Sequence, residues 1–196
     1  FSNNGVPGMN AVRHPTVEKA ALGSVLALIA ADALGLHGVV LAVLLLAATG
    51  AHAARWWLWQ PLKSRANPLV WVLHVAYLWV PVHLLLRAAD ELNWVAPGPA
   101  THAVTVGVIG TMTLCMITRT ALGHTGRALR ASRMETAAYV AVTVSAVVRV
   151  GLPLVAPASL MVAVHMSATL WTLAFVLYLV RYVPFLIYAR ADGQPG

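Results

Sequence analysis

Residues 159–182 read SLMVAVHMSATLWTLAFVLYLVRY, a long apolar run whose one charged side chain, Arg181, lies at its far end. About 20 mostly apolar residues are what a helix needs to cross the roughly 30 Å hydrocarbon core of a bilayer. Working outward, five further stretches share this character: 20–36, 38–59, 69–87, 101–122 and 135–156. The chain is 60% hydrophobic and only 10% charged, with a mean hydropathy of +0.77, which removes it from the range of water-soluble domains. The pattern predicts an all-α, polytopic membrane bundle of six transmembrane helices. A membrane domain 20–188 would lie between an N-terminal segment 1–19 and a tail 189–196.

Helix signals support spans of this kind rather than barrel strands. Asn67 precedes Pro68, Thr101 follows Pro99, Ser159 follows Pro157, and Ser132-Arg-Met-Glu135 has the form of a capping box. With the N-terminus in the cytoplasm, that side receives Arg13, Lys19, Arg55, Lys63, Arg65, Arg127, Arg130, Arg133, Arg181 and Arg190, while the outer loops keep Arg87 beside Asp90 and Glu91. This asymmetry predicts cytoplasmic termini and an inner-membrane location, with lipid as the surrounding partner. The net charge of +7 and the pI near 10.3 are thus topological, and nucleic-acid binding is excluded. The opening FSNNGVPGMNAVRHP lacks an initiator Met and the form of a signal peptide, so it reads as an internal loop of a longer protein.

A single cysteine, Cys115, excludes an internal disulfide and a Cys-x-x-Cys knuckle, so any metal must rest on histidine. At about 1.5 Å per residue, His83, His102 and His165 fall toward the outer face and His52, His74 and His124 toward the inner one. Two imidazole groups, one toward each face, suit a protein that holds more than one haem or metal; the competing use of any single one is to bridge helices. His74 and His83 are about half a turn out of phase, so they point to separate sites, with Pro81 predicting a kink between them. His37 offers an imidazole and no further argument.

Other polar residues within the spans have their own readings. Met112, Cys115, Met116 and Arg119 share one helical face, whose soft sulfur atoms suit Cu(I) but which more commonly serves packing. On the other side, Gly107, Gly110 and Thr111 predict the close approach of a neighbour. Asp32 and Arg149 lie at matching depths, about 18 to 21 Å from the cytoplasmic end, which predicts an intramembrane ion pair. The competing reading gives Arg149 to a haem propionate or a small anion.

The run MITRTALGHTGRALR, residues 116–130, interrupts the apolar chain. Gly123 falls where the fourth span should end, a natural left-handed cap, and Gly126 allows a second turn. Arg119 and Arg127 flank His124 and Thr125, a basic nest able to converge on a carboxylate, propionate or phosphate. The lysine and spacing of a nucleotide loop are missing, so ATP is not implied.

Several of these segments together resemble the signature of the NnrS family. They are His102-Ala-Val-Thr-Val-Gly-Val-Ile-Gly-Thr-Met112, Thr118-Arg119 and Leu122-Gly-His-Thr-Gly-Arg127, with Pro68-Leu-Val-Trp71, Leu73-His74, Tyr77, Trp79, Trp171, Ala174-Phe175, Tyr182, Pro184 and the ending Ala191-Asp192-Gly193-Gln-Pro195-Gly196. The resemblance implies a bacterial cytoplasmic-membrane protein that relieves nitric oxide and nitrosative stress, with haem and copper held by membrane histidines. It further implies about twice as many helices, of which this chain would supply the C-terminal part and the missing N-terminal half would be a partner.

Within the matching motifs, His74, His102 and His124 are the implied metal ligands, with Arg119 and Arg127 at the cofactor. His83 and His165 join them on depth. Two other functions suit the composition: half of a multi-pass transporter, or a haem-bearing anchor passing electrons to a partner, with His83 and His165 as its outer pair. Whether the chain catalyses a reaction is left open by these residues.

Overall fold

The computed structural model describes residue 6 and residues 8–194. Positions 1–5 and 7 of the expected N-terminal segment, and Pro195 and Gly196 of the tail, lie outside the described residues. Six long helices follow in chain order: α1 (Pro15–Ala33), α2 (Gly38–Leu58), α3 (Pro68–Glu91), α4 (Gly98–His124), α5 (Arg133–Val155) and α6 (Leu160–Ile187). No strand occurs among the described residues.

Five of these helices, α2 to α6, are long and apolar enough to cross a membrane. The expected first span is the exception, because α1 starts at Pro15 and includes Glu18 and Lys19 as well as Asp32. Outward-facing positions of the bundle are apolar at helical spacing, as in Leu22, Leu26 and Ile29 of α1 and Val140, Val144 and Val147 of α5. Such continuous apolar faces suit lipid rather than water.

The sequence reads several boundaries correctly. Asn67 Oδ1 accepts the Leu69 amide at 3.2 Å with Pro68 at the first helical position, and Ser132 with Glu135 forms the expected capping box. Thr101 is not a cap, since α4 already starts at Gly98. Nor is Gly123 the left-handed residue at the end of α4. That role falls to Gly126 (φ 68°), with the Arg127 amide donating to the Leu122 carbonyl at 2.9 Å and the Gly126 amide to Gly123 at 3.2 Å. This pair of bonds is a Schellman cap.

The helices pack in a series: α1 on α2, α2 on α3, α3 on α4, and α4 with α6 on α5. One core joins Leu28, Ala31, Leu41, Leu45, Leu84 and Ala88 of α1, α2 and α3. A second joins α3 to α6 around Val72, Leu114, Cys115, Tyr139, Val142, Ala174 and Tyr182. Helix α3 serves both, which makes it the shared wall of the molecule.

Between Ala103 and Gly110, α4 is wound as a π-helix. Its glycines admit bulk from neighbours, as expected, and what enters is indole: Gly107 lies against Trp79 of α3, and Gly110 is 3.2 Å, measured from an ideal Cβ, from Trp171 Nε1 of α6.

Candidate functional site

The sequence-predicted residues fall into three places. The first lies where the end of α2 meets the start of α3, at the same end of the bundle as the GHTGR loop. His52 and His74 are both buried there, 5% and 2% exposed. His52 Nδ1 and the Tyr77 hydroxyl share a hydrogen bond of 2.7 Å. Arg55, one turn after His52, donates to Tyr77 at 3.4 Å and forms an ion pair with Glu18 of α1 at 2.7 Å. Trp59 packs on Tyr77 with centroids 4.6 Å apart and faces His74 at 6.3 Å, while Trp56 Nε1 donates to the His74 carbonyl at 2.8 Å.

Two imidazoles, a phenol, two indoles and a guanidinium thus line one place, drawn from α2, its C-cap and α3, with the Glu18 carboxylate of α1 beside them. His52 Nε2 is buried beside the Ala21 backbone without a hydrogen bond of regular geometry. Its first nitrogen is oriented by a neighbour, the arrangement found around metal-ligating histidines. Sequence reasoning put His52 here on depth alone and missed Arg55, Glu18 and the bond between His52 and Tyr77. The readable signal was the matching depth of His52 and Tyr77 on consecutive helices.

The second place is the GHTGR loop. The expected convergence of Arg119 and Arg127 on one anion is not what forms. Arg119 Nη1 donates to the Leu69 carbonyl of α3 at 3.0 Å, and the Arg127 guanidinium lies over the Phe185 ring at 3.8 Å while bonding Thr125 at 3.3 Å. His124 is exposed. The anion that sits at this loop is the chain's own. The Asp192 carboxylate rests against Gly126, the Ala191 amide donates to the Thr125 carbonyl at 3.0 Å, and Arg190 pairs with Asp192 at 2.6 Å. The Arg190 hydrogen bonds hold the Asp192 carboxyl down at about 2.

The third place is the opposite end. His83 Nδ1 and the Ala100 carbonyl lie 2.8 Å apart, a hydrogen bond from the ring to the start of α4. His102 is half-buried within Coulombic reach of Arg149. His165 is exposed on α6, bonded to the Met161 carbonyl of its own helix at 2.7 Å, and α3 packs on α4 and α5 rather than on α6. His83 and His165 are therefore not assembled into an outer pair. Asp32 and Arg149 do not meet either: Asp32 forms a two-pronged pair with Arg87 of α3, one bond being 3.0 Å. Matching depth does not bring them together, because α1 adjoins α2 and not α5.

Among the described residues, no three of His, Cys, Asp and Glu gather closely enough to hold a metal ion. His74, His102 and His124 are spread over both ends of the bundle. Cys115, buried among Leu114 and Tyr139, is a packing residue of the second core.

No curated protein and no solved structure matches the chain significantly. The family model described as NnrS protein matches residues 1–190, and the chain belongs to the NnrS family.

Proposed function

We propose that this protein relieves nitric oxide and related nitrosative stress from within the bacterial cytoplasmic membrane, using haem held at the His52–His74 site. The observation that carries the reading is membership of the NnrS family over nearly the whole chain. The site at α2 and α3 adds physical support, because it combines buried imidazoles with aromatic walls. When bound, haem would supply an iron centre for a diatomic ligand.

The residues present fit this group at a single imidazole. For His52 Nε2 to offer its lone pair, Nδ1 must carry the proton and donate to Tyr77, and Arg55 then shares the same oxygen. His74, 2% exposed on the facing helix, is the second candidate. The residues do not fit a self-contained copper centre, which needs several nitrogen or sulfur donors in one place. Copper therefore enters this reading only with ligands from outside the described residues.

Six spans with both termini cytoplasmic complete the proposal. Two of the three charges that keep α1 from the apolar helices are neutralised by neighbours, Glu18 by Arg55 and Asp32 by Arg87, so α1 can lie in lipid beside α2. Reporters placed before Pro15 and after Ser64 should then report the same side. Opposite sides would leave α1 outside the membrane.

The cofactor is tested by the absorption spectrum and metal content of the intact purified protein. A Soret band, lost in either His52→Ala or His74→Ala with folding retained, is the expected result. Protein without haem, or haem retained in both variants, overturns the assignment.

A further inference from the structure

An arginine in a membrane bundle needs a counter-charge, because an uncompensated ion costs several kcal/mol in hydrocarbon. The chain has six acidic side chains in all, and each is engaged away from Arg149. Glu18 pairs with Arg55, Asp32 with Arg87, Glu135 with Arg181 and Asp192 with Arg190. Glu91 accepts the Gly38 amide at 2.8 Å and lies 3.8 Å from His37, and Asp90 adds to the field on Arg87. Among the described residues Arg149 makes no ion pair and no hydrogen bond, and its Nη1 is buried.

Its surroundings add a second donor and a way in. His102, just before the π-wound part of α4, is half-buried on a helix that packs against α5 and lies in the Coulombic field of the guanidinium. A cavity of about 370 Å³ lined by Trp94, Pro99, Pro153 and Leu160 opens at this end. Pro99 is three residues before His102 and Pro153 four after Arg149, so the cavity sits one helical turn beyond both side chains.

We propose that Arg149 and His102 form a binding site for a small oxyanion, entered through this cavity. The guanidinium is a planar fork whose parallel N–H groups match two oxygens of one anion, and a ring N–H from His102 can meet a third. The ion supplies the negative charge that the chain's own carboxylates do not. This site is separate from the His52–His74 place and does not depend on the cofactor reading. Two sources offer the same chemistry, a free inorganic oxyanion and the phosphate of a lipid headgroup.

The test is thermal unfolding of the intact protein in nanodiscs of phosphatidylcholine, titrated with sodium nitrate against sodium gluconate at constant ionic strength. Wild type should gain stability saturably with nitrate. Arg149→Gln should lose the response, and Arg149→Lys, which retains the charge should the neutral variant fail to fold, should need at least about tenfold more nitrate. His102→Gln should keep the response at weaker affinity. If nitrate has no effect and stabilisation instead requires phosphatidylglycerol and Arg149 together, the oxyanion is a lipid phosphate. Wild type indifferent to both, or Arg149→Gln and Arg149→Lys responding as wild type does, overturns the site.

Discussion

The α1–α2–α3 side of the bundle and the α4–α5 junction handle charge on their helices in opposite ways. On the first side each guanidinium has a carboxylate on a neighbouring helix: Arg55 has Glu18, and Arg87 has Asp32. At the second, Arg149 has a histidine nearby and no carboxylate. A matched pair fastens helices together, whereas an unmatched cation is available to something that comes and goes. The difference separates guanidinium charges spent on holding helices together from one left free for a ligand.

The largest effect should come from breaking the tightest of the matched sets. Glu135, 3% exposed, accepts from Tyr182 at 2.9 Å, from the Ser132 amide at 2.8 Å and from Arg181 at 3.3 Å. Glu135→Leu should cost about 3–5 kcal/mol, read as loss of folded yield and of detergent-unfolding midpoint. Glu135→Gln, which keeps part of the bonding, should cost visibly less.

Next comes the direct contrast between the two arginines. Arg87→Leu strands Asp32 and should destabilise by about 1–3 kcal/mol, with Asp32→Leu added to it restoring much of the loss. Arg149→Leu strands no carboxylate and, in buffer free of small oxyanions, should change stability by less than about 1 kcal/mol or increase it. Equal losses from Arg87→Leu and Arg149→Leu would erase the distinction. A smaller change is expected of Tyr77→Phe, which removes the hydroxyl shared with His52 and Arg55 and should cost about 1 kcal/mol, measured by the same unfolding assay.

The smallest effect concerns the tail. The Asp192 carboxyl is held down at about 2, below its ordinary 3.8, so its contribution is fully present above about pH 4 and is lost as the pH falls toward 2. Protease cleavage at Arg190 should accordingly be constant from pH 5 to 8. Cleavage that rises within that window would mean another group holds the tail.

Much of this was legible because apolar runs and caps are local. The six helices, the Asn67 cap and the Ser132–Glu135 box follow from residues close in sequence. Lateral placement does not. Depth along an axis matched Asp32 to Arg149, yet only packing decides that α1 lies beside α3's Arg87. Arg119 and Arg127 share a loop in the sequence, but Arg119 still belongs to the helix and turns toward Leu69, while Arg127 is taken by the Phe185 face. The sequence pointed to Gly123 as the cap and to Gly126 as a second turn, and the Arg127–Leu122 bond moves the cap to Gly126. The Asp192 carboxylate at the loop comes from the far end of the chain, where no spacing rule reaches.

The π-wound stretch of α4 works like a change of gear. In an α-helix Gly107 and Gly110 would face almost the same way, three residues apart on one side. A wider turn advances less per residue, so the two glycines swing apart and receive indoles from two helices that do not pack on each other, Trp79 of α3 and Trp171 of α6. The same offset sets the angle between the His102 end of α4 and its GHTGR end. Deleting one residue between Ala103 and Gly110 would let the helix heal into ordinary winding with its two ends close to their present phase, yet it would return the two glycines to one side, away from one of their indoles. A shorter, more regular α4 would be the more stable helix in isolation and the wrong part for this bundle.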